Sequence, residues 1–371
     1  MTDVALGKNY RPICYVDDKL LAYHREALYL INVNNYVAKK ICNFPVCDSR
    51  RFMCFCDIGE RLAHVYAYCG IEVNGGALVA FNRGIYFVDT NNGIVTREHD
   101  FSISDMRRPL SLYRINNVKG FDDCVVYGDY SFNKVRCPMK IWKRNNNGDW
   151  EIAYEFPVGA VRHIHSIICD KFRERVIVLT GDFGDECAIW EFKSNFTEVK
   201  KILGSEQKYR ACSARAYEDG LVIVTDSPFD DNYVYLIKEE KDDIDIKVLA
   251  EIKGPSVFFA YYKDKLVFST DVEYDEISEK GLKQYITYKR GAGVKDWCSH
   301  IYIGNINEGF KEIARYKKDI LPMVTFGFGQ VEFPSGEIDG KIFFFPTALK
   351  KINQKLSCLV FEEGEWRNAY S

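Results

Sequence analysis

Apolar residues in this chain come in short, strand-sized runs, each closed by a polar turn rich in Asn, Asp, Glu or Gly. No long stretch keeps the spacing of a helix. Seven pairs of runs read as hairpins, beginning at Ala27, Gly84, Met139, Cys187, Tyr233, His300 and Ser357. ALYLINVNNYVAKKICNF and GIYFVDTNNGIVTREHDF show the form, two strands around a polar tip. Successive starts are about 46 to 67 residues apart, the range of propeller blades.

Two further strands precede each hairpin. They are PICYVDD and LLAYHRE in the first unit, LSLYRI and CVVYGDY in the third, and VRHIHSIICD and RVIVLTGD in the fourth. The fifth has RACSARAYED and LVIVTDSP, the sixth PSVFFAYYKD and KLVFSTDVE, the seventh GQVEFPSGE and KIFFFPTAL. In the second unit the strands are assigned around FMCFCD and ALVAFN, across an irregular stretch near 58–76. Four strands in seven units predict an all-β, seven-bladed propeller of four-stranded antiparallel blades. Six blades is the alternative count, and an irregular β-sandwich the alternative fold. Residues 1–371 form one propeller domain in this reading. Each blade owns its strands in chain order, and the ring closes by packing blade seven on blade one.

Composition changes this picture little. Of 371 residues, 25 are Phe and 24 Tyr, types that favour strands. The formal net charge is -3, which gives no pull toward nucleic acid or anionic membrane. The N-terminal residues show no signal peptide, and no apolar run reaches the ~18 residues of a membrane span. A cytoplasmic location is therefore expected, with the 13 Cys as reduced thiols. Cys54 and Cys56, with Cys42 and Cys47 nearby, lack the second pair of a zinc finger.

The propeller geometry selects candidate chemistry. The loop entering the innermost strand (a) and the loop leaving the next (b) open on one face. Starts of a offer Arg11, Arg50 with Arg51, Arg107 with Arg108, Arg162, Arg210 and, in the seventh blade, Gln330. Ends of b offer His24, Asp129, Asp182, Asp226, and Asp271 with Glu273. Tyr130, His163, His165, Glu186, Gln207 and Asn232 lie beside these positions. Clustered Arg suits an anionic ligand, gripped through the planar guanidinium fork. Carboxylates can bind hydroxyls or move protons, and His titrates in the range for general acid–base work. His163 and His165, two apart, are expected on one face of their strand. Tyr130 and Tyr209 are candidates for a sugar-binding floor. Taken singly, an Asp at a strand end often only caps a turn. The same register in consecutive blades argues for a site. A calcium ion on the axis would also use convergent Asp, but clustered Arg opposes it. No cofactor or metal ligand set is otherwise assigned.

The stretch from Gly159 to Asn232 resembles sialidase-like, BNR (Asp-box) repeat propellers. It carries R-H-I-H-S at Arg162–Ser166, T-G-D at Thr180–Asp182, D-E at Asp185 and Glu186, Q-x-Y-R at Gln207–Arg210 and T-D-S-P at Thr225–Pro228. G-D-Y at Gly128–Tyr130 is similar to the family's G-E-Y, and F-G-x-G-Q and F-P-S-G recur at Phe326–Gln330 and Phe333–Gly336. The Asp-boxes survive only as N-N-N-G-D-W ending at Trp150 and E-E-G-E-W ending at Trp366. The resemblance implies a carbohydrate-active enzyme, a glycosidase or polysaccharide lyase, cleaving a glycan with an acidic sugar. In that reading His163, His165, Asp182, Glu186 and Tyr130 are catalytic. Arg108, Asp129, Arg162, Gln207, Arg210, Asp226, Asn232, Glu273 and Gln330 bind an acidic oligosaccharide or sugar acid. A non-catalytic glycan-binding or scaffolding propeller is the alternative, and a glycosyl-transferring enzyme a third.

Overall fold

The computed structural model describes residues 9–44, 56–63, 66–101, 107–240, 243–276 and 278–369, at 57 and 60 the backbone only. Seven four-stranded antiparallel sheets make seven blades, at residues 11–43, 67–100, 113–156, 163–204, 211–252, 259–317 and 330–368. Within every sheet the strands lie in chain order, a to d. All seven hairpins of the sequence pattern are the c and d strands of a blade.

Burial explains why the strands read differently. The b strands are buried along nearly their whole length, as in Gly76–Phe81, Arg175–Gly181 and Gly220–Thr225. The outermost strands are mostly exposed, as in Ile94–Asp100 and Glu198–Gly204. Successive side chains of a strand point to opposite faces, and here both faces meet a neighbouring blade. Leu78 packs toward blade three and Val79 toward blade one. Ile177 packs toward blade five and Val178 toward blade three. Val222 and Ile223, Val267 and Phe268, and Phe343 and Phe344 divide in the same way. Each interface between blades thus has its own apolar cluster, and the b strands are continuous apolar runs instead of alternating ones.

Blade two corrects the sequence reading. Its innermost strand is Ala67–Val73, inside the stretch taken as irregular. Asp57, the end of FMCFCD, begins a short helix, Asp57–Ala63. The strand proposed there, together with Arg50, Arg51, Cys47 and Cys54, lies otherwise outside the described residues. Ring closure follows expectation, with no strand exchanged. Tyr15 N–H donates to the Ser335 carbonyl (2.9 Å), Ser335 N–H donates to that of Ile13 (3.1 Å), and Arg11 pairs with Glu332. Among the described residues no helix is long and apolar enough to cross a membrane.

The a strands of blades one, two, four and five share a feature the apolar pattern does not announce. Each carries a bulge near its start, so that Ile13, Tyr68, His165 and Cys212 are the extra residues in their ladders. A bulge bends its strand and re-aims side chains.

Candidate functional site

Blade four supplies the centre of the site. Its strand a, His163–Asp170, follows Arg162, and its strand b, Arg175–Gly181, delivers Asp182. Arg162 Nη1 donates to Asp182 Oδ2 (2.7 Å). The Nε2 atoms of His163 and His165 lie 3.2 and 3.3 Å from Asp182 Oδ1 and 3.0 Å from each other. Each Nδ1 faces a backbone carbonyl, Ser131 for His163 (2.9 Å) and Ala211 for His165 (3.0 Å). A carbonyl can only accept, so Nδ1–H is the tautomer at both rings. Tyr130 stacks on His163, with ring centroids 4.3 Å apart. Glycine at 181 makes this density possible: a Cβ there would sit 2.6 Å from His165 Cε1 and 3.3 Å from Arg210 Cγ.

Blades five and six complete the wall. Arg210, just before strand Ala211–Tyr217, approaches Asp182 Oδ1 and Asp226 Oδ2, each at 3.5 Å. Cys212, turned inward by the bulge, donates its thiol hydrogen to Asp226 Oδ2 (3.3 Å). Asp226, Asp271 and Arg210 are all buried, yet Asp226 Oδ1, Asp271 Oδ1 and Arg210 Nε and Nη1 have no hydrogen-bond partner in the chain. An aromatic lip stands over the two guanidiniums. Arg162 lies against Phe132 and Phe183, Arg210 against Phe229, and Phe183 stacks on Phe229.

The charges are uneven. Burial pushes the Asp182 carboxyl up, but His163, Arg210 and the contact with both rings outweigh it and hold Asp182 well below the usual range. Burial lowers His163, against the pull of Asp182. Burial, then Glu273 and Asp226, raises Asp271 well above an ordinary carboxyl. Burial and Asp226 push Glu273 up to about 8, with Arg210 opposing. A carboxyl raised on folding keeps its proton in the native state where the unfolded chain has lost it. Its stabilising contribution is present below the unfolded value of 4.5 and is lost as pH rises toward 8. We expect the melting temperature to fall by roughly several degrees between pH 5 and 9, and this fall to shrink in Glu273→Gln. Calorimetric scans of the two proteins across that range measure the difference.

Tyr130, His163, His165, Asp182, Arg162, Arg210 and Asp226 therefore meet, with Glu273 in their electrostatic field. Gln207 supports them: its amide Nε2 donates to the Asp182 carbonyl (2.8 Å) and its Oε1 accepts from the Ser227 hydroxyl (3.1 Å). Arg108 pairs its backbone with that of Tyr130, and its guanidinium lies over Tyr68. Other candidates are engaged elsewhere. Asp129 accepts from Arg107, Trp142 and the Lys140 N–H, beside a cavity of about 350 Å³ facing blade two. Glu186 pairs with Arg136. Asn232 is fully buried, and both ends of its amide hold the Ser227–Asn232 turn and Gly293. Gln330 donates to Glu332, the partner of Arg11. His24 stacks on Tyr10 in blade one. Tyr209 belongs to the apolar cluster between blades four and five, which corrects its assignment to a sugar-binding floor. Cys212 and the three Phe were missed. Cys212 reads as one more strand-borne thiol, and the Phe stand in loops, after Ser131, Asp182 and Pro228, where the apolar pattern carries no information.

A second opening lies at the other end of the channel. A cavity of about 910 Å³ is lined by the a strands and the turns that follow them, including Tyr68, Tyr113, Phe172, Tyr217, Tyr261 and Phe333. Tyr113 donates its hydroxyl to the His165 carbonyl (3.2 Å), so cavity and site share a wall.

No family model matches the chain, and no curated protein matches it in sequence. In structure it is similar to the AfRom2 CNH domain, at 8% identity and a TM-score of 0.52, over 98% of this chain and 97% of that one. A putative 6-phosphogluconolactonase from Bacteroides uniformis aligns over 97% of this chain and 94% of its own, at 12% identity and a TM-score of 0.49. The calcium-binding protein regucalcin from Agrobacterium tumefaciens aligns over 71% and 84%, at 9% identity and a TM-score of 0.45. The likeness to the CNH domain shows the fold alone, since function resides in the site and not in the architecture. The sialidase-like resemblance of the sequence is supported as far as a β-propeller: seven four-stranded blades, with a polar centre on blades four to six.

Proposed function

We propose that this propeller is a carbohydrate-active enzyme that binds an acidic sugar at its polar mouth and cleaves the glycan carrying it. The observation that carries the reading is Arg210. It is 7% exposed, and its Nε and Nη1 donate to nothing in the chain. Buried donors left unmatched are costly, and a ligand carboxylate reaching Nη1 satisfies one of them by a charge-assisted hydrogen bond. Asp226 Oδ1 and Asp271 Oδ1, equally unmatched, suit sugar hydroxyls as donors to them. The lip of Phe132, Phe183 and Phe229 offers apolar faces for a sugar ring. Arg162 contributes less to anion binding, because Asp182 already neutralises it. His163, His165 and Asp182 lie beside the bound acid, where protons must be moved for elimination or hydrolysis.

The test is incubation with glycans containing uronic acids. A lyase leaves an unsaturated product absorbing in the near ultraviolet, and a hydrolase leaves a new reducing end. Turnover is expected, falling by about 100-fold or more in His165→Ala. Calorimetric binding without turnover would make the protein a glycan-binding module instead. The absence of both binding and turnover overturns the reading.

A further inference from the structure

We infer that His163, His165 and Asp182 form a binding site for a divalent transition-metal ion of the zinc or cobalt class. Both Nδ1–H groups are committed to backbone carbonyls, of Ser131 and Ala211. In the neutral rings each Nε2 is therefore a lone pair, and Asp182 Oδ1 is a third acceptor. These three acceptors lie 3.0, 3.2 and 3.3 Å apart, with no hydrogen of their own to share. Lone pairs converge in this way where a cation is held, and two His with one carboxylate is a ligand set for a divalent transition metal.

The surroundings have the form of a metal site's outer shell. The backbone carbonyls fix ring tautomer and orientation, and Arg162 on Oδ2 turns Oδ1 inward. His165, Cys212 and Asp226 offer a second group of ligand atoms within 4.8 Å of one another. The thiol would add a soft ligand that favours zinc or cobalt over calcium or magnesium. The opposing feature is Arg210, 3.5 Å from Asp182 Oδ1. Asp182 lies between Arg162 and Arg210, and Asp226 is on the other side of Arg210, so two carboxylates stand against the two guanidiniums. This inference takes its location from the proposed function: an ion there would face the acid held at Arg210 and polarise it or a water.

The probe is Co²⁺, titrated into the full chain after chelator treatment and followed by visible absorption. One equivalent is expected to bind, and Zn²⁺ to compete with it and raise the melting temperature. His163→Ala and Asp182→Asn should each weaken Co²⁺ binding by at least about 100-fold. If a variant fails to fold, the wild-type stoichiometry and its reversal by chelator decide the matter. A folded wild-type chain that takes up no Co²⁺, or folded variants that bind it as tightly as wild type, overturns the inference. Chelator-treated protein that cleaves acidic glycans at full rate also overturns it, and leaves the proposed function standing. One bound Co²⁺ with no activity on any acidic glycan supports the metal site and counts against that function.

Discussion

Arg210→Lys is expected to lower affinity for a uronic acid by about 10- to 100-fold without unfolding the protein. The substitution keeps a positive charge between Asp182 and Asp226, its two carboxylate neighbours. It removes the planar fork, which is the feature a bound carboxylate would read. A hydrogen bond to a charged group contributes about 1.5–3 kcal/mol, and loss of one gives a change of that order in Kd. Calorimetry with galacturonic and glucuronic acid, against neutral galactose and glucose, measures it. The neutral sugars should respond weakly to the substitution. Equal losses for acid and neutral sugars would show that Arg210 shapes the pocket without recognising the acid. A melting curve beside each titration separates binding from folding.

Arg175→Ala is expected to destabilise the propeller by about 3–5 kcal/mol. Arg175 is 1% exposed and sits at the start of the b strand of blade four. It donates from Nε to Asp170 (2.9 Å) and from Nη1 to Glu191 (2.8 Å), and pairs with Glu239 of blade five. One guanidinium thus ties three strands of blade four's neighbourhood to the adjacent blade. Removing it leaves the Asp170 carboxylate, 0% exposed, to share only the partly exposed Arg173. The cost lies in that uncompensated buried charge more than in the lost attraction. Urea unfolding of the two proteins gives the difference directly. A loss under about 1 kcal/mol would mean the cluster is solvated and behaves as a surface ion pair.

Most of the fold was legible because a propeller repeats one simple instruction. A hairpin with a polar tip recurs seven times, and the b strands announce themselves by unbroken apolar runs. Their two faces each meet a blade, so alternation vanishes where burial is complete. The same logic hid the inner strand of blade two. AYCGIEV has glycine at its middle and intermediate burial at several positions, so it lacks the dense apolar signal of the strand that follows. FMCFCD carried that signal and drew the assignment away from it.

The site was legible in part, through register. Arg at the start of a strand and Asp at the end of its neighbour bring Arg162, Asp182, Arg210 and Asp226 together by geometry that repeats from blade to blade. The same rule also gathered Asp129, Asn232 and Gln330, which serve their own loops. Side chains at one register still choose between the channel and the adjacent turn. Asp129 and Tyr130 are consecutive, so they point to opposite sides, and only the tyrosine reaches the histidines.

What the amino-acid pattern determined by itself is the number of blades, their order and the face on which polar residues gather. These follow from local periodicity and from chain connectivity, which the sequence states directly. Only the tertiary structure decided which polar residues are matched and which are not. Arg162 is neutralised by Asp182, whereas Arg210 keeps donors to spare. It also decided that His165 and Cys212 face inward, because each occupies a bulge of its ladder. A bulge adds one residue to a strand without changing its apolar character, so the pattern cannot reveal it. Yet that one residue brings the two imidazole nitrogens together beside Asp182, where the chemistry of the propeller is assigned.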